Sequence, residues 1–250
     1  MTPTQERRSN KGAAWGEATR VLGMLDPRFV GGRQATTSGI VLEGVTGAGK
    51  TQTLRALAAH PAFAALVRCG RVFPEEDTLG PFLAEFSNPQ RGADGRDAQL
   101  RRVVAGLRRS SSVARDRYGA GYGYVLERLH PSAYALMPDR DRYDPFDHVL
   151  DALNAKVVLL GIADDEIERR ALTRVERRHT RGATRVAELT DAFGSRERVA
   201  EAIAAAQARR RAYATLSRLP FLEIDTTAMA WDAYADQIVR FWAGDSEAAR

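Results

Sequence analysis

The residues Gly44-Val45-Thr46-Gly47-Ala48-Gly49-Lys50-Thr51 hold the chain's most specific chemistry. Glycines at these spacings let a backbone turn sharply and aim its N–H groups at phosphate oxygens. The lysine brings a compact positive charge to β- and γ-phosphates, and the hydroxyl of the next residue suits a magnesium ion. The pattern G-x-x-x-x-G-K-[ST] is met in full. An apolar strand pattern, Ile40–Glu43, precedes it, and a helix pattern, Lys50–Ala59, follows and adds the positive end of its dipole. These features predict a site for a nucleoside triphosphate with Mg²⁺. The nucleotide would be held by Gly44, Thr46, Gly47, Ala48, Gly49, Lys50, Thr51 and Gln52, with Thr51 as the direct metal ligand.

Other candidates lie farther along. Glu127 ends an apolar run and suits a metal held through water, placed where α/β sheets keep their sites. Arg128 suits bidentate contact with an acceptor phosphate or the transferring group, or else a structural ion pair. Glu75 and Glu76 precede a helix pattern; one of them, Glu75 by a small margin, suits proton removal from an acceptor hydroxyl, although acids at helix starts are common for dipole reasons alone. Arg170, Arg174, Arg177, Arg178 and Arg181 fall at i, i+4, i+7, i+8 and i+11, the spacing of one helix face, across and just beyond a predicted helix over Asp164–Arg178. Such a face predicts a lid whose arginines, Arg174 and Arg178 foremost, neutralise charge in a transition state. A solvated face of i,i+4 ion pairs gives the same pattern. Phe82, Phe86, Tyr118, Tyr134 and Tyr143 are candidates to stack on a base, against a core role for each. Arg101, Arg102, Arg108 and Arg109 mark a charged helix.

Five compact apolar runs must position these residues: Ile40–Glu43, Leu66–Phe73, Tyr122–Glu127, Val157–Ile162 and Phe221–Ile224. They do not alternate, which suits strands covered on both faces of a parallel sheet. Further helix patterns cover Leu79–Phe86, Arg96–Ser110, Asp144–Leu153, Arg196–Leu216 and Ala230–Trp242. The predicted fold is α/β: a P-loop NTPase-type three-layer sandwich with a five-stranded parallel sheet and a helical arginine-bearing lid. Residues 1–38 are expected as a partly disordered N-terminal extension with a short helix near Ala13–Leu25. Residues 39–244 form the catalytic domain, with its lid at about 164–185, and 245–250 a frayed tail.

The 250 residues are 44% apolar, enough for one domain of ordinary size. Net charge is +5, yet Lys11, Lys50 and Lys156 are the only lysines, and the many arginines are dispersed without stacking aromatics. That argues against a nucleic-acid polymer as partner. Cys69 stands alone, so no intrachain disulfide forms. The polar start MTPTQERRSNKG and the brevity of the longest apolar run predict no membrane association and a cytoplasmic location. His60, His130, His148 and His179 have no metal-ligand spacing.

Several segments together resemble thymidylate kinases and the related deoxynucleoside kinases. "IVLEGVTGAGKTQTLRAL" resembles their opening strand and loop. "RVFPEEDTLGPFLAEF" resembles the segment after their second strand, "GYVLERLHPSAYAL" their strand ending in Asp-Arg or Glu-Arg, with Ser132 and Tyr134 following. "VVLLGIADDEIERRALTRVERR" resembles the strand that enters their lid, and "LPFLEIDTT" their last strand. The likeness runs from about Gly39 to Gly244. It implies a small-molecule kinase using Mg²⁺ and ATP, catalytic roles for Lys50, Glu75, Glu127, Arg128, Arg174 and Arg178, a nucleotide or nucleoside acceptor, and a homodimer as one assembly open to it. Thr46, the Glu127-Arg128 pair and Pro74-Glu75-Glu76-Asp77-Thr78 depart from the thymidylate kinase pattern. They leave open a kinase of the same fold that phosphorylates another hydroxylated metabolite or antibiotic. A nucleotide-binding switch that transfers nothing is the alternative outside the enzymes.

Overall fold

A run of residues with 0% exposure, Ile40, Val41, Leu42 and Glu43, forms the middle of β1 (Ser38–Gly44), the central strand of the sheet. The computed structural model describes residues 37–66, 70–74, 78, 89–118, 122–173, 176 and 182–244. Chain order is β1, α1 (Lys50–Ala59), α2 (Pro61–Leu66), β2 (Gly70–Phe73), α3 (Pro89–Tyr118), β3 (Gly123–Glu127), α4 (His130–Leu136) and α5 (Arg140–Asp151). Then come β4 (Ala155–Gly161), a 3₁₀ turn (Asp164–Glu166), a π-helical turn (Glu168–Thr173), α6 (Gly182–Phe193), α7 (Arg196–Leu216), β5 (Phe221–Asp225) and α8 (Trp231–Ala243). The sheet order is β2-β3-β1-β4-β5, and every pairing is parallel. All five expected strands are therefore present, and apart from the start of β2 their ends differ from expectation by two residues at most. β2 starts later than Leu66; residues 67–69 lie outside the described part.

Alternate residues of each strand feed two cores. Ile40, Leu42, Val125, Val158, Leu160, Leu222 and Ile224 pack with α1, α2 and α8 through Leu57, Phe63, Ile238 and Trp242. Val41, Tyr124, Leu126 and Val157 pack on the other face with Leu107 of α3, Tyr143 and Phe146 of α5 and Tyr213 of α7. Helices on both faces explain why β1, β3 and β4 are apolar without alternation. β5 is an edge strand, and its exposed Glu223 and Asp225 alternate with buried Leu222 and Ile224. Gly39 has no room for a side chain: a Cβ there would lie 2.3 Å from the Tyr124 ring.

The helices depart from expectation in six places. α3 has 30 residues, longer than Arg96–Ser110 at both ends. α5 begins at Arg140, where the Asp139 side chain accepts the Arg142 N–H at 3.2 Å, and Pro145 sits inside it. α2, α4 and α6 appear where no helix was expected. The expected single helix Asp164–Arg178 is instead a 3₁₀ turn followed by a π-helical turn as far as Thr173. Ala13–Leu25, Leu79–Phe86, the tail 245–250 and all of the N-terminal extension except Thr37 and Ser38 lie outside the described residues. No helix among the described residues is long and apolar enough to cross a membrane.

The connection leaving β1 enters α1 on one face, whereas that leaving its neighbour β3 enters α4, which packs on the other face. A crevice consequently opens at the carboxyl end of β1. In open α/β sheets that is where ligands sit.

Candidate functional site

The segment 45–49 fills this crevice, between the end of β1 and Lys50, the first residue of α1. Gly47 and Gly49 have φ of 85° and 87°, a region costly for other residues. Space excludes side chains too. A Cβ on Gly47 would lie 2.8 Å from the Arg170 carbonyl, and one on Gly49 2.2 Å from Trp231 Cη2. The Gly49 carbonyl accepts the Gln52 and Thr53 N–H groups, each at 2.9 Å, closing the first turn of α1. The N–H groups at the head of that helix have no carbonyl of their own helix to bond.

Three groups hold the loop from behind. Arg170, only 1% exposed, donates from Nη2 to the Gly47 carbonyl at 3.0 Å and from Nη1 to the Thr226 carbonyl at 2.6 Å. The Thr226 hydroxyl lies 2.9 Å from the Ala48 carbonyl and 2.8 Å from the Gly161 carbonyl. The carbonyls of Gly47 and Ala48 are thus tied to the protein behind them, and the Ala48 N–H bonds the Val45 carbonyl at 3.2 Å within the loop. Trp231, at the start of α8, covers Gly49. Arg170 was expected on the exposed face of a lid. Its guanidinium is instead buried beneath the loop, because two inward-facing carbonyls there require a donor.

Lys50 is 7% exposed, and its Nζ donates to the carbonyls of Gly44 and Val45 at 3.0 and 3.3 Å, so the ammonium lies folded over the loop. Thr46 and Thr51 are exposed, and Gln52 is partly so.

Glu127, the last residue of β3, stands opposite Leu42 of β1, two residues before the loop, and is 5% exposed. Its carbonyl accepts the Thr78 hydroxyl at 2.6 Å. Arg128 has φ of 57°, a left-handed conformation, and its N–H reaches the Leu42 carbonyl at 3.0 Å. This bend carries the chain off the sheet edge into α4 beside the loop.

The carboxylate of Glu43 secures the bend and was not anticipated as a site residue. It is fully buried and accepts the Leu129 N–H at 2.7 Å, the Ser132 N–H at 3.3 Å and the Ser132 hydroxyl at 2.5 Å. Arg210 of α7 stands 3.6 Å from it and donates to the Ser132 hydroxyl at 3.1 Å. Nothing in local spacing marks these residues, because Ser132 is 89 residues from Glu43. The one sequence signal was an acid inside an otherwise apolar strand pattern. Gln207 does similar work on β4: its side-chain amide bonds both the N–H and the carbonyl of Ile162, at 3.0 and 2.8 Å.

Beyond β5, hydrogen bonds from the Thr227 hydroxyl and N–H, with the Arg170 charge nearby, hold the Asp225 carboxyl below the usual carboxylate range. Tyr143 is a core residue, and half-buried Tyr134 packs against Tyr213 with centroids 4.7 Å apart. Both belong to the packing of α4 and α5 on α7. Glu75, Glu76, Arg174, Arg177, Arg178, Arg181, Phe82, Phe86 and the Tyr118 side chain lie outside the described residues. Arg102 and Arg109 are exposed; Arg101 and Arg108 border a cavity between α3 and α5 that no loop residue lines.

A scan of known protein families finds none that matches this chain, and a search of curated proteins finds no match either. The functional reading rests on the chain's own residues.

Proposed function

We propose that this chain is a P-loop phosphotransferase that moves the γ-phosphoryl group of Mg²⁺–ATP to a small acceptor, a nucleotide or nucleoside in the first instance. The observation that carries this reading is the loop 44–51. It combines left-handed glycines without room for side chains, buried ties behind its carbonyls, Lys50 at its head and a place at the carboxyl end of the central parallel strand. These residues fit a triphosphate. A Cβ at Gly47 or Gly49 would strike the Arg170 carbonyl or the Trp231 ring and displace the loop, and the donors proposed to face the phosphates are backbone N–H groups and an ammonium. The cation has hard oxygen donors to match, the exposed Thr51 hydroxyl and the Glu127 carboxylate.

When bound, ATP supplies the phosphoryl group and Mg²⁺ offsets charge on its phosphates. Lys50 exchanges the Gly44 and Val45 carbonyls for phosphate oxygens. Arg128, aimed by the left-handed bend that Glu43 secures, orients the acceptor. An acceptor oxygen forms the new P–O bond as the bond to the ADP oxygen breaks. An acceptor hydroxyl also surrenders a proton, for which Glu75 or Glu76 is the candidate base, whereas an acceptor phosphate needs none. Lid arginines, Arg174 and Arg178, complete the proposed site.

The test is ADP release from Mg²⁺–ATP across nucleosides, nucleoside monophosphates and hydroxylated metabolites. Stimulation by one class establishes the kinase and names the acceptor. Slow hydrolysis indifferent to every acceptor supports the nucleotide-binding switch and overturns the transferase.

A further inference from the structure

Thr37 marks where the N-terminal extension meets the fold. Its hydroxyl lies 2.5 Å from the Ser111 hydroxyl of α3, and its carbonyl accepts the Asn154 side-chain amide at 2.9 Å. Asn154 lies in the turn that joins α5 to β4. The chain therefore enters β1 between α3 and the end of α5, at the foot of the groove that these two helices form. A cavity of about 410 Å³ opens in that groove. Among the described residues its apolar wall is Val104, Ala105, Pro145, Phe146 and Val149. Val104 and Phe146 belong to the core on that face of the sheet, whereas Ala105 is exposed. Arg101, Arg108 and Arg142 stand beside it, and arginine stems can cover an apolar neighbour while their heads stay in water. Arg108 is three residues from Ser111, about 5 Å along the axis at ~1.5 Å per residue.

The extension carries a matching apolar strip. Trp15, Ala18, Leu22 and Leu25 fall at i, i+3, i+7 and i+10, and Ala14 and Val21 widen the same helical face. Gly16, Arg20 and Gly23 fall on the opposite face. Two glycines in a helix pattern this short make it too weak to persist alone in water, so only burial of its strip would hold it. The linker 26–36 joins the strip to Thr37. Fully extended, it spans up to ~40 Å, and the groove lies within that reach. We propose that residues 13–25 form a helix that docks in the α3–α5 groove of its own chain, with its apolar strip against Val104, Ala105 and Phe146. The groove is then part of the core, and docking requires no nucleotide in the loop 44–51.

Hydrogen–deuterium exchange, read by mass spectrometry on the full chain without nucleotide, tests this. Amides of residues 13–25 should exchange about tenfold or more slower than in an unstructured chain. That protection should be the same at low and high protein concentration. Ala105→Glu puts a charge on the wall from an exposed helix position, and Trp15→Ser removes the largest apolar side chain of the strip. Each variant should bring 13–25 to within about twofold of the unstructured rate while β1 and β4 stay protected, which shows the sheet intact. Where Ala105→Glu loosens the sheet, Trp15→Ser decides alone. Exchange of 13–25 at the unstructured rate in the wild-type chain overturns the proposal. So does protection that survives either variant with the sheet intact, because the strip would then lie elsewhere. Protection that appears only as concentration rises places the strip on a second copy and overturns docking within one chain. None of these outcomes bears on ADP release, so the two readings fail independently.

Discussion

Lys50 concentrates the case for phosphoryl transfer in one side chain. Its ammonium rests on two loop carbonyls, so its removal takes away the charge offered to phosphate. Lys50→Ala should lower turnover by roughly two orders of magnitude or more while the unfolding midpoint stays close to wild type. Stimulated ADP release at the wild-type rate from a folded Lys50→Ala protein would end the proposal. Asp147 lies on the other side of α4, fully buried, and accepts a hydrogen bond from the buried His130 Nε2 at 2.7 Å. Burial pushes the Asp147 carboxyl up, but the His130 hydrogen bond, aided by Ser217 and the Arg218 N–H, outweighs it and leaves the carboxyl below its usual value. A depressed carboxyl adds stability above the unfolded value of ~3.9, and that stability is lost as pH falls through the lower folded value. Asp147→Asn should therefore cost about 1–3 kcal/mol at pH 7. Its urea unfolding curve should converge on wild type as the pH falls below about 4. A gap that stays constant down to pH 2 would show that the carboxylate charge adds nothing.

At the scale of elements, the turn after β4 governs the loop. Arg170→Met should keep most of the buried volume and strand the carbonyls of Gly47 and Thr226 without their donor. Two buried acceptors left unsatisfied cost about 1–3 kcal/mol each. Both a lower melting temperature and weaker Mg²⁺–ATP binding by calorimetry are expected, the latter because the loop carbonyls lose their anchor. A drop in melting temperature with unchanged nucleotide affinity would separate Arg170 from the site. α3 offers the opposite change. Gly106 sits inside this helix, and a Cβ there would meet nothing within 4 Å. Gly106→Ala should stabilise the protein by about 0.5–1 kcal/mol in chemical denaturation. α3 and α5 also show where the sequence was hard to read, whereas α7 has its expected bounds, Arg196–Leu216. Helix interiors were legible from composition and period, but the start of α5 depends on its cap, Asp139. α4 has only seven residues, too few for a period to show, and its start is secured by Glu43 from another strand.

For the whole molecule, the sheet order makes a graded prediction. β1 has neighbours on both sides and helices on both faces, whereas β2 and β5 are edges. Amides of Ile40–Leu42, Val125–Leu126 and Val158–Leu160 should exchange with deuterium only on global unfolding, and those of β5 earlier. Uniform exchange across the sheet would contradict the layered core. The chain's sequence by itself determined the loop and the five strands. Both signals are local: glycines before a lysine at fixed spacing, and apolar runs that burial on two faces demands. It also placed Glu127 and Arg128 at a strand end. Only the tertiary structure decided that Glu43 clamps the bend after β3, that Arg170 turns inward beneath the loop, and that Thr37 meets both α3 and the turn after α5. Those roles depend on contacts between residues far apart in the chain. A buried carbonyl or carboxylate selects its partner by proximity in space, and neither period nor spacing records that.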